Sequence, residues 1–431
     1  MTRARHEHTL DRRTFLRLAG AGGAAVTLST SGTALAGGAS QGERLRVYTV
    51  VVDGCRPDEI TPVLTPRLHR LRNAGTTYPR ARSLPVMETI PNHVMMMSGV
   101  RPDRSGVPAN SVYDRAEGVV RDLDRPSDLT FPTLLDRLRG TGRVTGSVLS
   151  KEYLYGIFGQ RASVRWEPKP VIPVSEHAPD AATVDALISM VDHADPDLIF
   201  TNLGDVDRVG HGDVTGTTLQ AARTSALAAT DLQVGRFVDH LVHTGRWSSS
   251  ILLILADHSM DWSLPHRAVS LQPVMDADPM LVGHVVIAQN GGADLLSYTG
   301  PADRRADAVD RMRTIASSTE GVLAVHAPAD LRLGTEAGDL VAYCLPGWRF
   351  TEPTVVSNPI PGNHGHPVTE PIPFFVSGGH PAVRLGEISA APARTVDIAP
   401  TVGSLFQLTE PAGGYDGTAR LDAVDTAALR P

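Results

Sequence analysis

Two cysteines in 431 residues, Cys55 and Cys344, are too few for a disulfide-built scaffold, and they read as two separate buried thiols. No stretch approaches the ~18 consecutive apolar residues of a membrane span. Lysine is nearly missing: Lys151 and Lys169 are the two among 40 basic residues, a bias of composition that assigns neither a chemical role. Cationic excess is missing too. With 47 acidic residues the formal charge is −7, so bulk charge gives no reason to expect binding to a nucleic-acid polymer or an anionic membrane. No internal repeat recurs at a fixed period. What is present is 42% hydrophobic content over a long chain, enough for one large α/β domain with insertions or for two domains.

The first 36 residues have a character of their own. "LDRRTFLRLAGAGGAAVTLSTSGTALAGG" pairs Arg12 with Arg13, follows with Phe15-Leu16 and a weakly apolar stretch, and ends in a small-x-small site at Ala34-Leu35-Ala36. That is the pattern of a twin-arginine signal peptide, residues 1–36. It predicts passage through the twin-arginine export machinery to a secreted, periplasmic or cell-surface location. Removing it takes away five arginines and two acids, which moves the charge from −7 to −10.

After residue 44 buried-strand patterns alternate with helices. "LRVYTVVVDG" (45–54) is a continuous apolar run ending in Asp-Gly, as in a parallel strand covered on both faces. Helix 65–75, helix 131–140, strand 143–150, helix 179–194, strand 197–205, helix 217–244 and strand 249–259 follow. This predicts a doubly wound, mostly parallel sheet with helices on both faces. Between 262 and 360 the strand patterns shorten ("LVGHVVIAQN", "GVLAVHAP", "DLVAYCLPGW"), with one clear helix at 303–316 and frequent Pro and Gly. That stretch reads as a smaller inserted α+β subdomain, leaving 37–261 and 361–431 as the main domain. The core resumes at "IPFFVSGG" (372–379) and ends in a helix near 396–408.

In open α/β sheets, ligands bind beyond the carboxyl ends of the strands. Asp53 closes the first strand. Asp207 and His211, in "DVDRVGHG", share one face of a helical turn after the 197–205 strand. Asp257 and His258 close strand 249–259, and His364 sits in the Gly-rich "PGNHGHP". Carboxylates and imidazoles are the usual O/N ligands of zinc and related metals, and these donors suffice for two ions. In "METIPNHVMMMSGVRPDRSGVPAN" (87–110) a hydroxyl, an amide and an imidazole precede an apolar helix. Capping by Thr89 and Asn92 is one reading. A Thr89 hydroxyl aimed at a phosphate bound at the helix N-terminus is the other.

Taken in order, Asp53, "TIPNH" (89–93), "GVRPDRSG" (99–106), "DRVGH" (207–211), "DH" (257–258) and "GNHG" (362–365) resemble the motifs of the alkaline phosphatase superfamily. The resemblance is to its nucleotide pyrophosphatase/phosphodiesterase (type I phosphodiesterase) branch and spans nearly the whole mature chain. It implies an alkaline-phosphatase-like fold and a metal-dependent hydrolase of phosphoric diesters acting through a phospho-threonine. It also implies two divalent metals, zinc first among candidates. Asp207, His211 and His364 would hold one ion; Asp53, Asp257, His258 and the Thr89 oxygen would hold the other. Thr89 would be the nucleophile and Asn110 would hydrogen-bond a non-bridging phosphate oxygen, while Asn92 and His93 would shape the helix start. The partner would be a small phosphate ester.

Two positions depart from the branch. Ile90 and Asn202 stand where its members carry the aromatic rings that stack on a nucleotide base. Monoester or phosphonate (phosphonoacetate-type) hydrolysis is the alternative. It would want a cation over the phosphate, and Arg101 and Arg104 belong to what reads as a solvated loop. A serine hydrolase is excluded because "GASQG" (38–42) precedes the first strand, whereas a nucleophile elbow needs a strand before it. A sulfatase would need a Cys-or-Ser-x-Pro-x-Arg motif.

Overall fold

The computed structural model describes residues 44–169, 177–353 and 361–429. The export signal and the "GASQG" stretch lie outside the described residues.

Eight strands form the central sheet, in the order Glu387–Ile388, Thr76–Thr77, Phe374–Gly378, Ser250–Leu255, Arg46–Val52, Leu198–Leu203, Thr145–Leu149, Val164–Trp166. The last five are parallel to one another. Phe374–Gly378 runs antiparallel to both of its neighbours. The sheet is thus mostly parallel and flanked by helices, an alkaline-phosphatase-like α/β fold. Its three middle strands are apolar without alternation because both faces are covered: every residue of Leu198–Leu203 and Ser250–Leu255 is buried. Val47 pairs with both Leu198 and Ile251, so those three strands end side by side.

The long helix begins at Ala221, and the strand expected over 249–259 stops at Leu255. Asp257 and His258 therefore lie in the loop past the sheet edge. Between 262 and 353 a four-stranded antiparallel sheet forms in the order Val285–Asn290, Ala293–Tyr298, Leu340–Cys344, Val322–His326. It has its own core, into which the helix Arg305–Ser318 packs Ala308, Met312 and Ala316. Ala293–Tyr298 was not anticipated, since Asp294 interrupts its apolar pattern. Trp262 pairs with Gly362 and Asp261 with Asn363, which closes the base of this region. Both cysteines are buried and free.

Candidate active site

The three adjacent strand ends deliver the first carboxylates. Asp53 follows Arg46–Val52, Asp207 lies on the short helix Asp205–Gly212 after Leu198–Leu203, and Asp257 lies beyond Ser250–Leu255. All three are buried. A clamp on the far side fixes the turn at Asp53. The buried guanidinium of Arg223 donates to Gly54 O (2.6 Å) and Val206 O (3.0 Å) while paired with Glu59 (2.5 and 2.7 Å).

The histidines arrive already oriented. His211 Nδ1 donates to Gly362 O at 2.8 Å, and His258 Nδ1 donates to Ser259 O at 2.9 Å. His364 Nδ1 faces Met87 O (3.2 Å) and Glu88 Oε1 (3.1 Å). In each ring Nε2 is left pointing inward, the arrangement by which outer partners fix metal-ligating imidazoles. Gly362 lets this happen: a Cβ there would come within 2.3 Å of Gly210 O and 2.5 Å of His211 Cα.

Two donor sets result. His211 Nε2 is 3.3 Å from Asp207 Oδ1 and 3.1 Å from His364 Nε2. His258 Nε2 is 3.3 Å from Asp257 Oδ2, 3.8 Å from Asp53 Oδ1 and 3.2 Å from Thr89 Oγ1. Ligand atoms of Asp207, His211 and His364 lie within 4.8 Å of one another, as do those of Asp53, Asp207 and His258, and of Asp53, His93 and Asp257. Asp53 Oδ1, Asp207 Oδ1 and Asp257 Oδ2 are buried and accept no hydrogen bond. Buried carboxylate oxygens without donors are costly unless a cation satisfies them. The donor set therefore fits divalent metal ions.

Thr89 is the first residue of the helix Thr89–Ser98, with Glu88 at the cap position. Its hydroxyl makes no cap; it faces His258 Nε2 and, at 3.5 Å, the ammonium of Lys151. Asn92 is a staple for the preceding loop, bonding Leu84, Val86 and Glu88 backbone groups. Asn110 lines the cavity above Thr89, its Oδ1 accepting from Ile90 N (2.8 Å) and its Nδ2 donating to Glu88 Oε2 (2.6 Å).

Lys151 is the residue that sequence reasoning passed over. It sits two positions beyond Thr145–Leu149, fully buried, with Nζ 2.7 Å from Asp53 Oδ2 and 2.8 Å from Asp207 Oδ2. It joins the two donor sets. Burial works against its charge, but Asp207 and Asp53 hold its pKa well above the usual lysine range. Burial likewise opposes the charge of Asp207, yet Lys151, His211 and His364 hold that carboxyl well below its usual range. The rarity of Lys151 was no signal, since Lys169 is equally rare. Arg101 and Arg104 are bound elsewhere, around Asp416, Leu331 O and Gly414 O.

Glu88 was also missed. It is buried and links Asn110 to His364.

Asn202 needs a correction. It does not face the cavity where a base could stack. It is buried in its strand, accepts from Ser150 Oγ (2.7 Å), and donates to Asp53 Oδ2 (2.7 Å) and His93 Nε2 (3.0 Å). It orients the Asp53 carboxylate. Ile90 does line the cavity, together with Tyr153 and Phe350. That cavity, of about 260 Å³, opens over Thr89 between the main sheet and the 285–350 region, with Arg208 and Arg349 on its walls.

A fold of this kind, with a threonine between two Asp/His donor sets at adjacent strand ends, defines an alkaline-phosphatase-superfamily protein. Residues 47–366 match the type I phosphodiesterase / nucleotide pyrophosphatase family, and the chain belongs to it. It is 23% identical to ectonucleotide pyrophosphatase/phosphodiesterase family member 5 of Homo sapiens over 407 residues, 90% of this chain and 78% of that one. The structure of the murine counterpart, an inactive variant in complex with AMP, superposes with a TM-score of 0.73 at 17% identity, covering 88% of this chain and all of that one. Phosphonoacetate hydrolase from Sinorhizobium meliloti, in complex with phosphonoacetate, gives a TM-score of 0.64 at 18% identity, covering 83% and 94%. At these identities the structural likenesses establish the fold.

Proposed function

We propose that the protein is an exported, metal-dependent hydrolase of phosphate diesters that works through a covalent phospho-threonine. The observation that carries this reading is the position of Thr89 Oγ1. It lies at a helix start and at the cavity floor, 3.2 Å from His258 Nε2 and 3.5 Å from Lys151 Nζ. Two divalent ions, zinc first among them, would supply Lewis acidity to the threonine oxygen and the phosphate. Asp207, His211 and His364 would hold one, and Asp53, Asp257, His258 and Thr89 the other. Thr89 Oγ1 would bond to phosphorus as the bond to the first ester oxygen breaks, the threonine proton passing to solvent and the departing alkoxide taking one from it. Water would then add to phosphorus as the Thr89–phosphate bond breaks, releasing the monoester and restoring the Thr89 hydroxyl. Asn110 offers a neutral donor to a non-bridging oxygen. The N-terminus of the Thr89–Ser98 helix adds a favourable field for the anion.

A diester carries one negative charge, which the neutral donor Asn110 beside Thr89 suits. Lys151 supports a second reading, because it is the cation that a monoester or phosphonate dianion would require. A panel of diesters, monoesters and phosphonates tested on metal-loaded protein decides between them. Higher kcat/KM for bis-p-nitrophenyl phosphate than for p-nitrophenyl phosphate is expected. Preference for monoesters or phosphonoacetate over every diester overturns the diester reading. Export rests on Arg12-Arg13 and Ala34-Leu35-Ala36. Lysine at both arginines should leave the protein inside the cell, and unchanged secretion refutes that part.

A further inference from the structure

The helix that carries Asp207 and His211 has no cap of its own. Asp205–Gly212 is eight residues long, and Gly204, at its cap position, has no side chain to accept the first N–H groups. The helix Asp180–His193 begins in the same way, with Pro179 at its cap position. The first N–H groups of a helix need an outside acceptor, and an eight-residue helix is held by its anchors rather than by its own propensity. Here each helix caps the other. Asp205 N donates to Asp180 Oδ1 at 3.1 Å, and Asp180 N donates to Asp205 Oδ2 at 3.1 Å.

This exchanged pair is tied to its surroundings on several sides. Thr230, on the helix Ala221–His243, donates to Asp180 Oδ2 at 2.5 Å. The same helix carries Arg223, which holds Val206 O. His177 Nε2 lies 3.1 Å from Asp205 Oδ1, and His177 forms an isolated bridge with Lys151. Ala178 N donates to Ser150 O at 2.8 Å. Gly204 lets these segments close: a Cβ there would come within 2.9 Å of Ser150 Oγ and 3.5 Å of Lys151 Cε. Asp180 itself is 1% exposed and belongs neither to the donor sets nor to the cavity lining. Burying a carboxyl group costs free energy, and its partners show what it secures.

We propose that Asp180 is a positioning residue for the ion assigned to Asp207, His211 and His364: by capping Asp205–Gly212 it fixes where that helix presents its ligand atoms. This rests on the two-ion reading above. His211 is held at the far end of the helix by Gly362 O, so loss of Asp180 releases the end nearer Asp207. The other ion is assigned to Asp53, Asp257, His258 and Thr89, which belong to other elements, so its affinity should be retained.

The test is zinc titration of the demetallated protein in competition with a chromophoric chelator, with circular dichroism and thermal melting of each variant. The parent should bind two equivalents. Asp180→Ser can still start its own helix but is too short to reach Asp205 N. It should weaken one equivalent, the same one that His211→Ala removes, by about 10-fold or more, the scale of losing an outer partner of a ligand. The second equivalent should be unchanged. Burial, and after it Asp205, pushes the Asp180 carboxyl up to about 7. Asp180→Asn resembles the protonated form, keeps an acceptor, and should bind both equivalents like the parent. Loss confined to one equivalent, with rescue by asparagine, is not what general destabilisation produces. Thr230→Val frees Asp180 on its outer side and should weaken the same equivalent by a smaller factor; it decides the matter if Asp180→Ser does not fold. Equal weakening of both equivalents, no weakening, or the same loss in Asp180→Asn as in Asp180→Ser overturns the proposal. A parent that binds fewer than two equivalents removes the two-ion reading, and this proposal with it.

Discussion

Lys151→Met separates a substrate-contacting ammonium from a purely structural one. Nζ is 3.5 Å from Thr89 Oγ1. A phosphorus in attack position, ~3–3.5 Å from that oxygen, would bring phosphate oxygens to roughly 4–5 Å of Nζ. One unit of charge at that distance, at an effective dielectric constant near 20, interacts by about 3–4 kcal/mol. Asp53 and Asp207 already share this ammonium at 2.7 and 2.8 Å, which reduces its effect on a third anion. Taking half leaves about 2 kcal/mol per substrate charge, or about 30-fold. A monoester dianion carries one charge more than a diester, so Lys151→Met should lower monoester kcat/KM about 30-fold further than diester kcat/KM. A second readout is stability under chelation. Breaking a buried ion pair costs about 3–5 kcal/mol, so the chelated variant should melt well below the chelated parent. Equal losses for both substrate charges, or none, would refute the substrate contact, and an unchanged chelated melting temperature would refute the ion-pair argument.

Thr89→Ala should reduce turnover by ~10³–10⁶-fold, on the scale seen when an activated nucleophile is removed, while Thr89→Ser keeps a measurable fraction; wild-type turnover in the alanine variant would mean direct attack by water. Chelation should abolish hydrolysis and lower the melting temperature, because seven protein groups link metal binding to folding; elemental analysis without bound metal counts against it. Asp257→Ala should be more damaging to metal content than His366→Ala, since His366 Nε2 is engaged with Asp261 at 3.0 Å. Asp294→Asn should stabilise the protein by roughly 1.4 kcal/mol for each pH unit above ~4 up to the folded pKa, because asparagine stays neutral without taking up a proton. Asp294 is buried, and burial together with Glu352 pushes its pKa well above the usual carboxylate range. A folded pKa raised in this way makes stability fall as pH climbs from the unfolded value toward the folded one. The advantage of asparagine should therefore grow with pH above ~4, and a pH-independent difference in thermal melts would disprove the assignment.

The candidate donor residues were legible because acids and imidazoles at strand ends leave a local mark. Asp53 after an apolar run, Asp207 and His211 one turn apart, and Asp257-His258 after a second run each stand out without any knowledge of partners. What could not be read was everything set by packing between distant segments. Lys151 has no local pattern; its importance is that Thr145–Leu149 lies beside Leu198–Leu203, a neighbourhood that strand order alone decides. Asn202 shows the same limit in reverse. The resemblance implied a base-stacking place for this position, but alternation along Leu198–Leu203 turns it toward Asp53. The strand Ala293–Tyr298 was hidden by Asp294, a buried acid whose position no periodicity predicts.

The oriented imidazoles and the unpaired carboxylate oxygens belong to one physical problem. Asp53, Asp207, Asp257 and Glu88 are brought out of water within a single region, and each ionised carboxylate there carries a desolvation cost that neighbouring acids increase. The chain supplies one ammonium, placed where it reaches two of the four. It also supplies imidazoles whose outer nitrogens are fixed on Gly362, Ser259 and Met87 carbonyls. Those rings cannot turn away to water without breaking a buried hydrogen bond, so Nε2 stays directed at the acids. Rings held in one direction are placed to complete the coordination of a bound cation. A site only half-compensated by its own side chains is one in which cation binding would be linked to folding and add to stability.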